Sequence, residues 1–359
     1  MTQYILRRLF AAIPVVVGVL IVTFVLARAI PGDPCTAMFG EKATPAVCEK
    51  FNIDKGLDQP ITTQFFIYAN DILHGNFGES IRFKRPITQI LIERLPITLE
   101  LGMFALLFAM IVGVPLGIIS AVRRNSAVDV MTMIGANIGV SMPVFWLGLM
   151  LAYVFALLLK DTPFQLPPSG RLSPGVSVIP FYEVYGWQLT DGTLGAGLLE
   201  FLGNFYVFNA IITADWTVLG DAIRHLLLPS LALGTIPMAI IARMTRSSML
   251  EVLGLDYVRT ARAKGLSRWA VVMKHAFRNA LLPIVTIAGL QLGLVFSGAI
   301  LTETIFGLSG VGRSLYEAIT ARDYPIIQGF VVVISVGYVA VNLLVDVSYG
   351  FLDPRIQLD

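Results

Sequence analysis

The segment DYVRTARAKGLSRWAVVMKHAFRNALLP, Asp256 to Pro283, sets six bases (Arg259, Arg262, Lys264, Arg268, Lys274 and Arg278) against one acid, Asp256. It lies between two apolar runs. The chain around it has 359 residues, of which 56% are hydrophobic and only 14% charged, with a mean hydropathy of +0.76. Soluble domains carry about a quarter charged residues. So much apolar surface does not fit inside one globule, and the composition places the chain in a bilayer. A net charge of +2 gives no extended basic field, and nucleic acid is not an expected partner.

Outward from the basic segment, six stretches have the roughly 20 apolar residues that a span requires: about 9–30, 98–121, 130–159, 226–245, 281–302 and 327–350. The third is long enough to tilt or overrun the bilayer. The expected organisation is a first segment 1–30, a polar loop 31–97, spans two and three over 98–159, a second large loop 160–225, spans four to six over 226–350, and a tail 351–359. The basic loop, 246–280, sits between spans four and five. The N-terminal apolar run is too long for a signal-peptide core, so it is expected to be retained as a span.

Orientation follows from Lys and Arg. Arg7 and Arg8, Arg123 and Arg124, and the basic loop fall on one side if there are six spans, which makes that side cytoplasmic with both termini inside. LGAGLLEFLGNFYVFNAIITA (194–214) is nearly long enough to add a seventh. Glu200, Asn204 and Asn209 interrupt it, and a further span would turn the basic loop outward, so an interfacial or partly buried helix on the outer side is expected there. Pro14, Pro115, Pro143, Pro229 and Pro237 fall in or beside spans and invite kinks. The pairs Gly113/Gly117, Gly135/Gly139 and Gly289/Gly293 are spaced for close helix packing.

Little in the chain carries chemistry of its own. GxxxxGK[ST] is absent, so ATP is not expected to bind this polypeptide through a P-loop. HExxH is absent, the only histidines are His74, His225 and His275, and no metal site is expected. GLSG (307–310) resembles a serine-protease motif, but no histidine follows Ser309 and a turn is the better account. Ionisable groups near the membrane are few: Arg243 and Arg246 at the end of span four, Glu303 at the end of span five, and Asp346. Ser141, Gln291 and Asn342 are the mid-span polar set, suited either to a polar translocation path or to helix packing.

The basic loop itself divides into two helical pieces. Gly265 ends the first and Ser267 is placed to cap the second. Tyr257, Thr260, Ala261 and Lys264 share one face, and Thr260, Ala261 and Ala263 are small. A positive-inside loop against anionic lipid accounts for the charge alone. A short helix seated in a groove of another protein accounts for the break and the small residues as well.

RMTRSSMLEVLGLDYVRTARAKGLSRWAVVMKHAFRNALLPIVTIAGLQLG (243–293) resembles the cytoplasmic coupling loop of ABC importer permeases, those of dipeptide and oligopeptide transporters in particular. The likeness extends over ILRRL, IPGDP (30–34), HGNFGES (74–80), TLELG (98–102), SMPVFWLG (141–148), GAILTETIFGLSGVGR (298–313), RDYPIIQG (322–329) and VNLLVDVSYGFLDPRI (341–356). Counting back from Gly265, the family's E-A-A-x-x-x-G falls on Arg259, Thr260 and Ala261, so a base stands where the general family has its glutamate.

The resemblance implies an all-α integral membrane protein with six transmembrane helices, the type I ABC importer permease fold and extracytoplasmic loop domains. It implies ATPase coupling through Asp256, Tyr257, Arg259, Thr260, Ala261, Arg262, Ala263, Lys264 and Gly265. No cofactor is expected in this chain. ATP and Mg would sit on two partner ATPase subunits, beside a second homologous permease and an extracytoplasmic peptide-binding protein, in lipid of a bacterial or archaeal plasma membrane. The alternative is a secondary transporter or channel that acts without an ATPase. Loops 31–97 and 303–326 are the candidates for receiving the binding protein. In that topology Cys35 and Cys48 lie on the oxidising side, where a disulfide is expected and buried free thiols are the alternative.

Overall fold

The computed structural model describes residues 2–29, 34–54, 56–189, 193–321 and 323–352. The described chain is helical: α1 (Thr2–Ala29), α2 (Pro34–Phe39), α3 (Pro45–Asp54), α4 (Ile61–Leu73), α5 (Ile87–Val122), α6 (Ala127–Ser141), α7 (Val144–Ala152), α8 (Phe181–Val184), α9 (Leu194–Gly203), α10 (Tyr206–Ile212), α11 (Trp216–Leu253), α12 (Asp256–Ala263), α13 (Arg278–Ile305), α14 (Val311–Ala321) and α15 (Tyr324–Leu352). Wide π-helical turns extend α7 over Tyr153–Leu158 and lead into α13 over Ala270–Phe277.

Five helices are long and apolar enough to cross a membrane, over Leu6–Leu26, Ile87–Val122, Trp216–Leu253, Ala270–Gly293 and Tyr324–Val347. Two bent pairs, Ala127–Ser141 with Val144–Leu158 and Gly195–Gly203 with Tyr206–Ile212, raise the number to as many as seven if each is one span. The expected third span, 130–159, is therefore not a straight helix: it folds by 100°. The break falls at Pro143: a proline disfavours the helical region at the residue before it, and Met142 sits at φ −80°, ψ 127°. Pro14, Pro115, Pro229 and Pro237 stay inside unbroken helices. The 194–214 stretch is partly buried, as two short helices at 97° rather than one.

The centre of the bundle is α5 against α11. A Cβ on Gly113 would lie 2.6 Å from the Met238 carbonyl oxygen, and one on Gly117 2.6 Å from that of Ala242. The two backbones therefore touch, which only glycine permits, and the small-residue spacing is packing. Gly135 faces open space instead. Both helices run toward the basic segment, where Ala121 of α5 and Met249 and Val252 of α11 join one apolar cluster.

At the opposite end polar side chains fasten the loops to the bundle. Arg171 donates to Glu100 at 2.9 Å and to the Asn204 carbonyl at 2.8 Å, with its guanidinium 3.4 Å over the Tyr206 ring. The other Glu100 oxygen accepts from Val207 N at 2.8 Å. Asn209, an interruption in the sequence, accepts from Phe181 N and donates to the Ile179 carbonyl. Buried Glu303 accepts from Thr98 Oγ1 at 2.6 Å and from Arg313 N at 2.8 Å, which holds the 307–310 turn against α5. Cys35 and Cys48 form a disulfide across 13 residues, between α2 and α3. Thr23 and Tyr68 share a hydrogen bond at 3.1 Å between α1 and α4. Burial pushes the Tyr68 phenol above its ordinary pKa, so it serves there as a neutral partner.

Candidate coupling site at the basic end

Helix α11 ends at Gly254 and the chain turns through Leu255, extended at ψ 150°, into α12. Asp256 stands in the first turn of α12 and Arg262 in the last, the order that a helix dipole favours. Gly265 closes the piece at φ +76°, a conformation costly for any residue with a Cβ. Ser267 then accepts from Ala270 N at 3.3 Å and starts the π-helical approach to α13. The helix, glycine, capped helix order expected from the sequence is the order observed.

What holds α12 in place is one pair of side chains three residues apart. Val258 and Ala261 are buried and join Met249, Val252, Val271, Ala276 and Ala280 in the apolar cluster. Asp256, Tyr257, Arg259, Thr260, Arg262, Ala263, Lys264 and Gly265 are exposed. This corrects one assignment: Ala261 does not share an outward face with Tyr257, Thr260 and Lys264. It lies on the inner stripe, because positions i and i+3 with Val258 supply the only apolar face a helix this short can bury. Arg259, in the family's glutamate position, lies 3.5 Å from Asp256 with both side chains in solvent, so the pair adds little stability.

A second group of residues ties this segment to the bundle. Arg246 of α11 grips Asp129 of α6 with Nε and a terminal nitrogen at 2.7 and 2.8 Å. Asn125 N donates to the same carboxylate at 3.0 Å, and the Ser120 hydroxyl of α5 donates to it as well. One carboxylate thus joins α5, the 123–126 turn, α6 and α11. The sequence marks Arg246 but not its partner, which lies 117 positions away. The available signal was Ser126, three residues before Asp129, an N-cap whose hydroxyl accepts from Asp129 N.

Of the three mid-span polar residues, only Ser141 lines a described cavity. Ser141 is exposed, donates to the Asn137 carbonyl at 2.9 Å, and lines an open hollow with Ile134, Asn137 and Trp146. Neither Gln291 nor Asn342 lines that hollow. Gln291 is buried on α13 and Asn342 half-buried on α15, two helices packed together at Gly289 and Gly293. Asp346 forms an ion pair with Arg8 at 3.2 Å, linking α15 to α1. Among the described residues no cluster of three or more His, Cys, Asp and Glu could hold a metal.

An apolar helical bundle with a capped, glycine-broken basic appendage between two helices of spanning length is the build of a multi-pass membrane protein. Residues 113–358 match the family described as binding-protein-dependent transport system inner membrane component, and residues 1–102 match that family's N-terminal region. The chain belongs to this family: it is a multi-pass inner-membrane permease subunit of an ABC-type import system. It is 44% identical over 357 residues, 99% of this chain and 100% of the relative, to the dipeptide transport system permease protein DppB of Alkalihalophilus pseudofirmus. Identity is 43% to the protein of the same description from Escherichia coli K12, covering 99% of each chain. The di/tripeptide transport system permease protein DppB of Pseudomonas aeruginosa is 42% identical, again over 99% of each.

Proposed function

We propose that this permease carries dipeptides or short oligopeptides inward across a bacterial or archaeal plasma membrane, driven by ATP bound with Mg on two separate ATPase subunits. It crosses the membrane six times, counting Ala127–Leu158 as one bent span, with both termini and the 246–280 loop in the cytoplasm. A second homologous permease completes the pathway. An extracytoplasmic peptide-binding protein delivers cargo to the 31–97 and 303–326 regions. Coupling uses Asp256, Tyr257, Arg259, Thr260, Arg262, Ala263, Lys264 and Gly265 as the exposed surface for the ATPase, with Ala261 anchoring it from within. Ser141, Gln291 and Asn342 are assigned to the path one by one, since no described cavity is lined by any two of them.

The observation that carries this proposal is the mounting of α12. Its polar face is free, while Val258 and Ala261 fix it to a cluster built from α5, α11 and α13. A force on α12 is therefore felt by three long helices at once. The substrate class rests on relatives whose descriptions name dipeptides and tripeptides.

Replacing Gly265 by Val tests it. A β-branched residue at φ +76° costs about 1–2 kcal/mol in backbone strain and misorients α12. In reconstituted complexes, ATP hydrolysis should continue while dipeptide uptake per ATP falls at least fivefold. Normal coupling, or labelling of a cysteine at position 264 from outside the cell, overturns the assignment.

A further inference from the structure

Beneath α12 lies a cavity of about 630 Å³ whose lining includes Val122, Arg124, Leu253, Arg262, Leu266 and Arg268. The three arginines come from three separate pieces: the turn after α5, the last turn of α12, and the stretch between Gly265 and the π-helical turn. None of the lining residues is acidic. None of the three guanidinium groups takes part in a described ion pair or hydrogen bond. All three side chains are exposed at the rim of the hollow, unlike Arg246 and Arg171, which are partly buried against Asp129 and Glu100. Three like charges around one hollow repel, and a shared anion reverses the sign of that interaction. The rest of the wall is aliphatic, with Ala121, Leu250, Val271 and Val272 beside the leucines already named. The hollow opens where α5 and α11, both of spanning length, end. An occupant needs a phosphate-like anion and an apolar body, and basic pockets between spans on the cytoplasmic side take such headgroups.

We propose that this cavity binds one anionic glycerophospholipid, its phosphate shared by Arg124 and Arg268 and its glycerol and upper acyl carbons against Val122, Leu253 and Leu266, while Arg262 at the rim stays with the ATPase surface. Bound there, the lipid joins the 123–126 turn to the stretch that follows α12, and so joins the Asp129 anchor to the coupling segment. The placement in the cytoplasmic leaflet rests on the proposed topology; the binding itself does not.

The test is native mass spectrometry of the delipidated importer complex titrated with phosphatidylglycerol or phosphatidylcholine. One phosphatidylglycerol should bind at least tenfold more tightly than phosphatidylcholine. The double variant Arg124→Gln/Arg268→Gln should lose that preference, and Arg124→Lys/Arg268→Lys should largely restore it with an unchanged melting midpoint. Equal retention of both lipids, or an unaltered preference in the glutamine variant, overturns the proposal. Displacement of the lipid by 10 mM inorganic phosphate shows a small-anion site and also overturns it. So does loss of binding only when the ATPase subunits are present, which assigns the arginines to a protein partner. Because binding is read without ATP or transport, its failure leaves the coupling assignment standing.

Discussion

Asp129→Asn probes the bundle's end of the coupling assembly most directly. The carboxylate accepts two guanidinium hydrogen bonds at 2.7 and 2.8 Å, one from Asn125 N at 3.0 Å, and one from Ser120. Asparagine keeps the shape, removes the charge, and presents an NH2 group to donors that already point at it. Breaking a fully buried pair costs about 3–5 kcal/mol. Here 5% of the Asp129 side chain is exposed but 27% of that of Arg246, so water takes back part of the loss and about 2 kcal/mol remains. That is about a thirtyfold shift between docked and released α6 on α11. The assays are thermal unfolding of the purified complex and peptide uptake per ATP in proteoliposomes. The melting midpoint should fall by several degrees and uptake per ATP should drop, with Arg246→Lys intermediate because it keeps the charge and loses the fork. A double-mutant cycle of Asp129→Asn with Arg246→Gln decides the matter. Coupling below about 0.5 kcal/mol means that the two side chains do not act as a unit.

Other perturbations follow from the same contacts. Gly117→Leu drives a side chain into Thr245 Cβ, 2.5 Å from the added carbon; about 1–3 kcal/mol of overpacking should appear as a lower melting midpoint and poor membrane accumulation, while Gly135→Ala in open space should be silent. Arg171→Met leaves Glu100 buried without its cation, and faster proteolysis of the 160–215 region should report the release. Cys35→Ser removes a cross-link over 13 residues, worth about 3 kcal/mol to the local fold, and should expose the 34–54 segment to protease without changing ATP hydrolysis.

The spans were legible because apolar runs of bilayer length have almost no place in a soluble domain, yet their limits were not. Helix α5 begins at Ile87 rather than near 98, since Glu93 and Arg94 end an apolar count without ending a helix. Helix α11 likewise begins at Trp216, where Asp215 caps it. Among the prolines, sequence gives no reason why Pro143 breaks a helix when Pro115, Pro229 and Pro237 do not; whether neighbours support the local backbone is a tertiary matter. In the coupling segment Gly265 was readable, because a glycine between two helical patterns signals a positive φ. The inward turn of Ala261 was not, since small residues suit an outer contact and an inner one equally. The Asp129–Arg246 anchor stayed hidden, because partners 117 positions apart meet only once α5, α6 and α11 have packed.

Helix α11 is continuous over 38 residues, which makes it about 57 Å long. At one end Asp221 accepts hydrogen bonds from Ser173 N and Oγ at 2.6 and 2.7 Å; at the other, Met249 and Val252 hold α12. No loop lies between the two ends to absorb displacement. A tilt of about 5° at one terminus would carry the other about 5 Å if the rod pivots there. Such a beam needs no chain of small relays to carry a movement from one end of the bundle to the other.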